Sequence, residues 1–533
     1  MAGDIPMGAI EGNKQSGIAI ENEHEVSPTK VIIHEHTLDE AVGATKIGKF
    51  QTILIVLSGL SIMGAGLENV NISYILPYAK SDLKLTIAEQ GVLTSVSFLG
   101  IVSTSYLWGF LADTWGRQKV LCVAALSGFC FSFISGFATN TTTLIILRFL
   151  AGAFLAGSQA GGFSYISEFH TFKTAARAVA CSSIMLSGLA IVLSLLAIVI
   201  LPMGWTWHIF GMDFKPWRFF IVCSSFINLW NGVVFLFLPE SPKFLLAINE
   251  KEKALQVLRR VYAFNTGQPE ESYPIKSIKS DSIGGNNLAS TKGFCNIMCL
   301  LWSQTKPIFL PPLLAHTWKL CYLIFAIFAI GHGTFMWFPD FLVQLQNYNG
   351  PPKILCSVVE PKPKLVQDDF EICQNVDNQN LPTYQILLGV GICFMASGML
   401  TSLLMKKISP KKIICSWMFV STLTCFALNF FTNFGMIVTS FIIFLSCCSC
   451  ANIVMAVAVN LFPTNFKGMA TAFILMCGRI GGFAGSNLVG MLLTGMCTSI
   501  FYIEGGLLIS CICVFLTIKT TEKSTQKPVP EPK

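Results

Sequence analysis

Twelve long apolar runs, separated by shorter polar intervals, dominate the chain from residue 50 onward. Each run approaches or exceeds the ~20 residues that a helix needs to cross the hydrocarbon core of a bilayer. Within lipid, a helix satisfies all of its backbone hydrogen bonds inside one segment. The pattern therefore predicts an all-α membrane protein with twelve transmembrane helices. In order, the predicted spans are residues 50–76, 89–111, 120–137, 143–167, 176–201, 217–238, 318–342, 384–405, 413–431, 434–457, 469–495 and 499–518.

The longest polar interval inside this region, residues 239–317, divides the spans six and six. Its first part, residues 243–262, has apolar residues at helical spacing with charges between them, which predicts a helix on the membrane surface. The remainder is typical of a flexible linker. Two pseudo-symmetric six-helix bundles are therefore expected. The predicted parts are a tail (1–49), an N-terminal bundle (50–238), the linker with its interfacial helix (239–317), a C-terminal bundle (318–518) and a second tail (519–533).

The composition agrees with lipid as the main surrounding. Hydrophobic residues make up 53% of the chain and charged residues 12%. That charged fraction is about half the usual value for a soluble domain. Most of the 19 cysteines lie within apolar runs, where a thiol behaves as a small hydrophobic group. A soluble enzyme or a nucleic-acid-binding protein is therefore not expected. The expected partner of the chain is the lipid bilayer.

Basic residues in the short loops predict the orientation, since Lys and Arg are retained on the cytoplasmic side. They cluster in residues 117–119, at Lys173 and Arg177, and in residues 406–412. Both termini are then expected in the cytoplasm, with residues 1–46 as a disordered tail. The sequon at Asn140 falls on the opposite side, either as a glycosylation site or as an unused sequon close to the membrane.

Residues 109–117, between spans 2 and 3, read GFLADTWGR. A carboxylate in such a turn can hold a helix terminus or a nearby arginine. The segment matches the Gly-x-Leu-Ala-Asp-x-x-Gly-Arg signature of the major facilitator superfamily, which the chain resembles over nearly its whole membrane domain. The resemblance implies a cytoplasmic gate in the N-terminal half that contains Asp113, Arg117, Glu168 and Arg177.

Other motifs narrow the resemblance. Residues 239–246, PESPKFLL, are similar to the Pro-Glu-Ser-Pro-Arg motif of sugar and organic-ion transporters. Residues 336–340, MWFPD, and residues 48–51, GKFQ, look like the synaptic vesicle glycoprotein 2 group and its invertebrate relatives. The resemblance implies two bundles that rock around a central site.

The second half departs from the family pattern. Residues 406–412 read KKISPKK where an Asp and Arg pair is expected, and Asn460 replaces an expected acid. These changes predict a weaker cytoplasmic latch in the C-terminal half. The interval between spans 7 and 8, residues 344–383, is shorter than the insertion of the vesicle glycoproteins. It contains Cys356 and Cys373, which either form a disulfide on the oxidising side or stay unpaired.

Ionisable residues within spans are candidates for function, because a charge at mid-bilayer costs about 2.5–3.5 kcal/mol on insertion scales. Arg479 in span 11 is interpreted as an anion-contacting or counter-charge group, with a purely structural pair with a partner helix as the alternative. Glu68 in span 1 either meets a cationic substrate or proton or forms a structural salt bridge. His332 in span 7 either titrates near the midplane or packs as a hydrogen-bonded side chain. Asp340 is expected at an outer gate or helix end.

Tyr106, Trp230 and Trp337 are candidates to line a cavity for an organic ion through stacking or cation–π contact. Lipid contact or ordinary packing is the alternative for each. The extramembrane sequence has no Walker loop, dinucleotide fingerprint, HExxH or Cys-x-x-Cys metal array. We therefore expect no enzyme activity, no cofactor and no bound metal.

The preferred hypothesis is a secondary active or facilitative transporter that moves a small organic ion by alternating access. It is expected to act as a monomer, and a proton or sodium ion is the candidate coupling ion. The alternative is a non-transporting protein of the same fold that serves as a binding partner in a vesicle or other membrane, which the altered C-terminal gate favours. Either the plasma membrane or an intracellular vesicle fits the sequence.

Overall fold

The computed structural model describes residues 35–209, 211–279, 306–311, 313–348, 350–351, 353–359, 381–405, 407–462 and 467–518. Helices form almost all of the regular structure in these residues. Spans 1 to 6 are Lys49–Asp82, Ile87–Trp115, Arg117–Ser135, Thr141–Glu168, Phe172–Ser187 with Leu189–Ile200, and Pro216–Phe237. Spans 7 to 12 are Leu314–Gln346, Leu381–Leu404, Pro410–Ala427, Phe434–Leu445 with Ser449–Leu461, Lys467–Leu492, and Cys497–Leu516.

The remaining elements are short and lie between spans. Strands β1 (Trp207–Ile209) and β2 (Met212–Phe214) form an antiparallel hairpin before span 6. The strands and short helices are Leu38–Ala44, β1 (Trp207–Ile209), β2 (Met212–Phe214), Pro242–Ala247, Lys251–Thr266, Leu355–Val359 and the 3-10 turns Glu270–Ser272, Lys306–Phe309 and Ser446–Cys448.

Eleven helices in the described residues are long and apolar enough to cross a membrane, judged by length and composition. They coincide with eleven of the twelve predicted spans. The helix at the ninth position, Pro410–Ala427, is present but is not among the eleven. It begins with Pro410, Lys411 and Lys412, which lower its mean hydropathy. Spans 1 and 7 are longer than predicted. Span 1 continues past Pro77 to Asp82, and span 7 extends four residues further at each end than the predicted range, which already included Pro339.

The spans assemble as two bundles, and three pairs of helices make most of the contact between them. Span 4 packs against spans 1, 2 and 3 within the first bundle, and span 7 packs against spans 11 and 12 within the second. Between the bundles, span 2 contacts span 11, span 5 contacts span 8, and span 1 contacts span 7. The predicted fold class is thus the observed one.

Part of the expected disordered N-terminal tail is a helix, Leu38–Ala44. Thr37 and Glu40 form a capping box at its start, and the Tyr273 hydroxyl donates to the Ala41 carbonyl oxygen at 2.6 Å. The Thr37 backbone N–H and the neighbouring His36 hold the pKa of Glu40 below its usual value. Ala41 and Val42 are both buried and form the packing surface of this helix. The sequence did not indicate this surface, because most of the neighbouring residues are polar.

The predicted interfacial helix consists of two helices, Pro242–Ala247 and Lys251–Thr266. Leu255, Leu258 and Val261 are buried and belong to the same apolar cluster as the Leu38–Ala44 helix. The polar linker region therefore begins as an ordered platform at one end of the N-terminal bundle. Residues 280–305 of the linker lie outside the described residues.

The predicted disulfide partner of Cys356 is wrong. Cys356 bonds to Cys497, which begins span 12, and their Cα atoms are 5.4 Å apart. Cys373 lies outside the described residues. Proximity in sequence suggested the first pairing, whereas the fold brings together cysteines that are 141 positions apart. The bond ties the loop after span 7 to span 12.

Candidate functional site

The Arg479 guanidinium reaches from the C-terminal bundle into the N-terminal bundle. Its Nη1 donates to the Ser105 hydroxyl of span 2 at 3.0 Å, and its Nη2 donates to Oε1 of Gln159 in span 4 at 2.6 Å. The side chain is partly buried. Arg479, one of the predicted site residues, therefore lies at the contact between the bundles and does not face lipid.

The crossing of spans 7 and 11 fixes the backbone that carries Arg479. A Cβ on Gly481 or Gly485 would collide with the backbone carbonyl oxygens of Phe325 and Ala329 in span 7. Small residues allow such close helix contact in membranes. The glycine face of span 11 therefore packs against span 7, and Arg479 faces the other bundle.

No carboxylate among the described residues lies within 4 Å of the Arg479 guanidinium, and its two side-chain partners are neutral. An arginine with neutral partners keeps its positive charge and offers a planar fork that matches a carboxylate, sulfonate or phosphate. Chemically, the guanidinium at this position suits an anionic group in place of Ser105 or Gln159.

His332 also lies near this contact. Its ring stacks on Phe328 at a centroid distance of 4.4 Å and meets the edge of Phe98, from span 2, at 5.8 Å. Its Nδ1 is buried without a hydrogen-bond partner in the structure. The histidine thus joins an aromatic contact between spans 2 and 7.

The three predicted aromatic cavity residues have different surroundings. Trp337 is 1% exposed, and its Nε1 donates to the Ser486 carbonyl oxygen at 2.9 Å, so it packs span 7 against span 11. Trp230 is 58% exposed on the outer face of span 6, in line with Phe226 and Phe237. These two do not line a cavity between the bundles. Tyr106 is partly buried and follows Ser105 on span 2.

Glu68 forms a buried salt bridge, which is the second of the two roles predicted for this residue. Nη1 of Arg148, a span 4 residue that is fully buried, lies 2.6 Å from the Glu68 carboxylate and 3.1 Å from Oδ1 of Asn71. Asn71 in turn donates to Glu68 and to Ser224 of span 6. The network holds spans 1, 4 and 6 together. It pairs the charge of Glu68 with that of Arg148 inside one bundle.

The gate motif forms a compact ionic cluster around Arg117. The guanidinium lies 2.7 Å from Asp113 and 3.1 Å from Glu168, and it also donates to the Ala112 carbonyl oxygen. Glu240, of the PESP motif, accepts the backbone N–H of Arg117 and so caps span 3. Glu240 lies in the PESP motif, but its contact with Arg117 in the gate cluster was not predicted from the sequence. We call the end of the molecule that carries this cluster the gate end, and the other the far end.

Arg177 does not join the cluster. Its side chain is exposed, and no ion pair within 4 Å involves it in the described part of the chain. It lies in the second turn of span 5, and Glu240 takes the remaining place beside Arg117. In the C-terminal half, likewise, no described ion pair involves Lys407, Lys411 or Lys412. Asn460 and Lys406 have side chains outside the described set.

At the far end, polar contacts join the bundles directly. Lys80 of span 1 lies 2.5 Å from Asp340 of span 7, which is 2% exposed. The Tyr384 hydroxyl of span 8 donates to the Tyr74 carbonyl oxygen at 3.1 Å, and the two rings stack. Asp340 thus lies between the bundles at the far end. Lys80 was missed because the predicted first span stopped before it.

Asn140 is exposed at the start of span 4, where its side chain accepts the Thr143 backbone N–H at 2.8 Å. It serves as the helix N-cap. Glycosylation of this sequon stays a prediction. In the described residues, no group of three His, Cys, Asp or Glu side chains could hold a metal ion.

Residues 54–359 and 377–533 match the sequence model of the Major Facilitator Superfamily. The chain belongs to this superfamily. The resemblance inferred from the loop motifs is confirmed, as is the expectation that the protein is not an enzyme. As a superfamily member with many membrane helices, it is a multi-pass integral membrane protein.

Several relatives belong to the synaptic vesicle glycoprotein 2 group. Glycoprotein 2C of Mus musculus is 28% identical over 319 residues, which is 56% of this chain and 44% of the relative. Glycoprotein 2B of Mus musculus is 26% identical over 58% of this chain and 48% of the relative. Glycoprotein 2A of Rattus norvegicus is 30% identical over 44% and 32%. The chain spans less than half the length of these relatives.

Solved structures share the fold. The xylose transporter of E. coli in a partially occluded, inward-open conformation has a TM-score of 0.62 at 13% identity, covering 88% of this chain and all of the transporter. A bacterial homologue of the human lysosomal transporter Spinster, inward-facing and unoccupied, has a TM-score of 0.56 at 11% identity, covering 88% and 94%.

Proposed function

We propose that this superfamily member transports a small organic anion by alternating access, with Arg479 as the residue that contacts the anion. The observation that carries the proposal is the Arg479 guanidinium, which crosses between the bundles and has no carboxylate within 4 Å among the described residues. A buried charge without a counter-ion is costly, so an arriving anion gains more there than at a paired cation.

Glu68 supports an anion and not a cation as the substrate. Its carboxylate is already neutralised by Arg148, so a cationic substrate would have to break a fully buried ion pair. Glu168 and Asp340 are likewise paired, with Arg117 and Lys80. Among the described residues, Arg479 is the charged group at the contact between the bundles that has no ionic partner within 4 Å.

The far-end contacts support a conformation closed at that end. Lys80 with Asp340, and Tyr384 with Tyr74, bridge the bundles there. The similar xylose transporter structure is described as inward-open. We infer that this chain is in a state whose opening lies at the gate end, and that rocking of the bundles exchanges the far-end contacts for gate-end contacts.

An uptake screen in proteoliposomes tests the proposal. Radiolabelled organic anions, cations and zwitterions of similar size are offered to purified protein, with protein-free liposomes as the control. We expect saturable uptake of one or more anions and no saturable uptake of cations. Saturable cation uptake would refute the substrate class, and no flux for any compound with correctly folded protein would favour the non-transporting alternative.

A further inference from the structure

Span 12 carries an acid, Glu504, whose surroundings differ from those of the other buried acids. Four acidic side chains are buried in the described residues. Three of them face a cation: Glu68 faces Arg148, Glu168 faces Arg117, and Asp340 faces Lys80. Glu504, which is 5% exposed, has no cation within 4 Å in the same part of the chain.

The two oxygens of Glu504 are also unequal. Oε1 accepts a hydrogen bond from the Thr334 hydroxyl of span 7. Oε2 is buried and has no hydrogen-bond partner among the residues that the structure describes. The residue lines a cavity of about 20 Å³ between spans 7, 11 and 12, whose other walls are apolar, including Ile330, Val489 and Leu507. A space of that size holds about one water molecule.

The other titratable groups that face Glu504 are neutral thiols. The Cys425 thiol of span 9 donates to the Phe501 carbonyl oxygen, about one turn before Glu504, at 3.2 Å. Cys447, between the two helices of span 10, is buried in the same apolar cluster as Cys425 and Phe501. Span 7 presents Thr334, span 11 presents Gly485 and Val489, and the short helix after span 7 contributes only the disulfide-bonded Cys356. An ionised carboxylate in this setting would be an uncompensated charge, whereas the protonated acid is neutral.

We propose that Glu504 is a proton-binding site inside the C-terminal bundle, separate from the Arg479 site. The protonated carboxyl keeps its bond from Thr334 through Oε1 and directs its Oε2 proton to one water molecule in the adjacent cavity. The site is reached from the lipid side, because Leu488 and Ile503 on its rim are 41% and 40% exposed. Its ligands are a proton and a water, and its ionisation would loosen span 12 from span 7.

Modification by carbodiimides tests the protonated form. A protonated carboxyl gives its proton to a carbodiimide nitrogen while its oxygen bonds to the central carbon, and acyl migration to nitrogen then yields a stable N-acylurea. The product keeps every atom of the reagent, so peptide mass spectrometry locates it. We expect dicyclohexylcarbodiimide, which enters from lipid, to label Glu504 in the wild-type protein at neutral pH. A water-soluble carbodiimide should leave Glu504 unlabelled.

The three ion-paired acids serve as internal controls. The amount of label on Glu504 should exceed that on Glu68 by about tenfold or more. The reason is that each pKa unit between two carboxyl groups changes the ratio of their protonated to ionised forms by a factor of about ten. Equal labelling of both residues, or labelling of Glu68 alone, would overturn the proposal. This arm uses unmodified protein and does not depend on any variant folding or on the transported substrate.

Thermal unfolding of Glu504→Gln supplies the second arm. If the folded state holds a proton that the unfolded state releases, the stability of the wild-type protein falls as pH rises. The amide is neutral at every pH, so the variant should gain about 2–4 °C on wild type between mildly acidic and alkaline pH. Other titrating groups are common to both proteins and cancel in the difference. A difference that does not change with pH would contradict a proton at Glu504.

Discussion

Replacing Arg479 by alanine lowers uptake of the transported anion by roughly tenfold to a hundredfold. The reason is that hydrogen bonds to a charged group contribute about 1.5–3 kcal/mol, and each 1.4 kcal/mol is about a factor of ten. The guanidinium is the group that faces the other bundle without a counter-ion in the described residues. Arg479→Lys keeps the charge but loses the planar fork, so its activity should lie between those of wild type and the alanine variant. Initial uptake rates in proteoliposomes measure both.

The matched control is Arg260→Ala. Arg260 is exposed on the Lys251–Thr266 helix, so the same chemical change there should leave uptake near the wild-type rate. Monodisperse elution and an unchanged unfolding temperature would show that Arg479→Ala is folded. Wild-type uptake by a folded Arg479→Ala protein would remove Arg479 from the transport pathway.

Replacing Glu68 by alanine destabilises the N-terminal bundle by about 3–5 kcal/mol. That is the usual cost when one partner of a buried ion pair is removed and the other charge remains. Arg148 is completely buried, and the lost carboxylate is its only ionic partner within 4 Å in the described residues. The unfolding temperature in detergent and the yield of monodisperse protein should both fall sharply.

Two further variants separate the ion pair from other effects. Asp213→Ala removes an acid that pairs with His208 on the exposed hairpin, and pairs of this kind contribute about 0–1 kcal/mol. The double variant Glu68→Leu with Arg148→Met removes both buried charges and should recover most of the lost stability. If Glu68→Ala is as stable as wild type but does not transport, then Glu68 belongs to the substrate pathway after all.

The hydrophobic pattern was sufficient to predict the spans and the two bundles, because burial in lipid imposes length and polarity on every helix. The pattern was not sufficient where a helix end or a contact depends on residues that are distant in sequence. Span 1 was predicted to end at residue 76, yet the helix continues through Pro77 to Asp82, and Lys80 then meets Asp340 at the far end. The Leu38–Ala44 helix depends on a partner surface more than two hundred residues away, which no local pattern reveals.

The candidate site was predicted in part. The rule that a charge within a span marks a functional or paired residue found Arg479 and Glu68, and it applies equally to Arg148 and Glu504, which were missed as candidates. What the rule does not give is the partner. Pairing of Glu68 with Arg148, and of Cys356 with Cys497, follows from packing between distant helices. Trp230 and Trp337 show the same limit, since an aromatic residue on a span can face lipid, protein or a cavity.

Thiol reactivity at Ser105→Cys tests the central claim most directly, because residue 105 contacts the Arg479 guanidinium. Sulfonate-bearing (anionic) and trimethylammonium-bearing (cationic) methanethiosulfonate reagents are compared, with the label on residue 105 located by peptide mass spectrometry. We predict that the anionic reagent reacts faster by about tenfold or more, as expected for a charge that focuses anions in a cleft. The preference should disappear in the Arg479→Ala background, and a saturating transported anion should slow the reaction. Equal rates for both reagents, with or without Arg479, would contradict an anion site between the bundles.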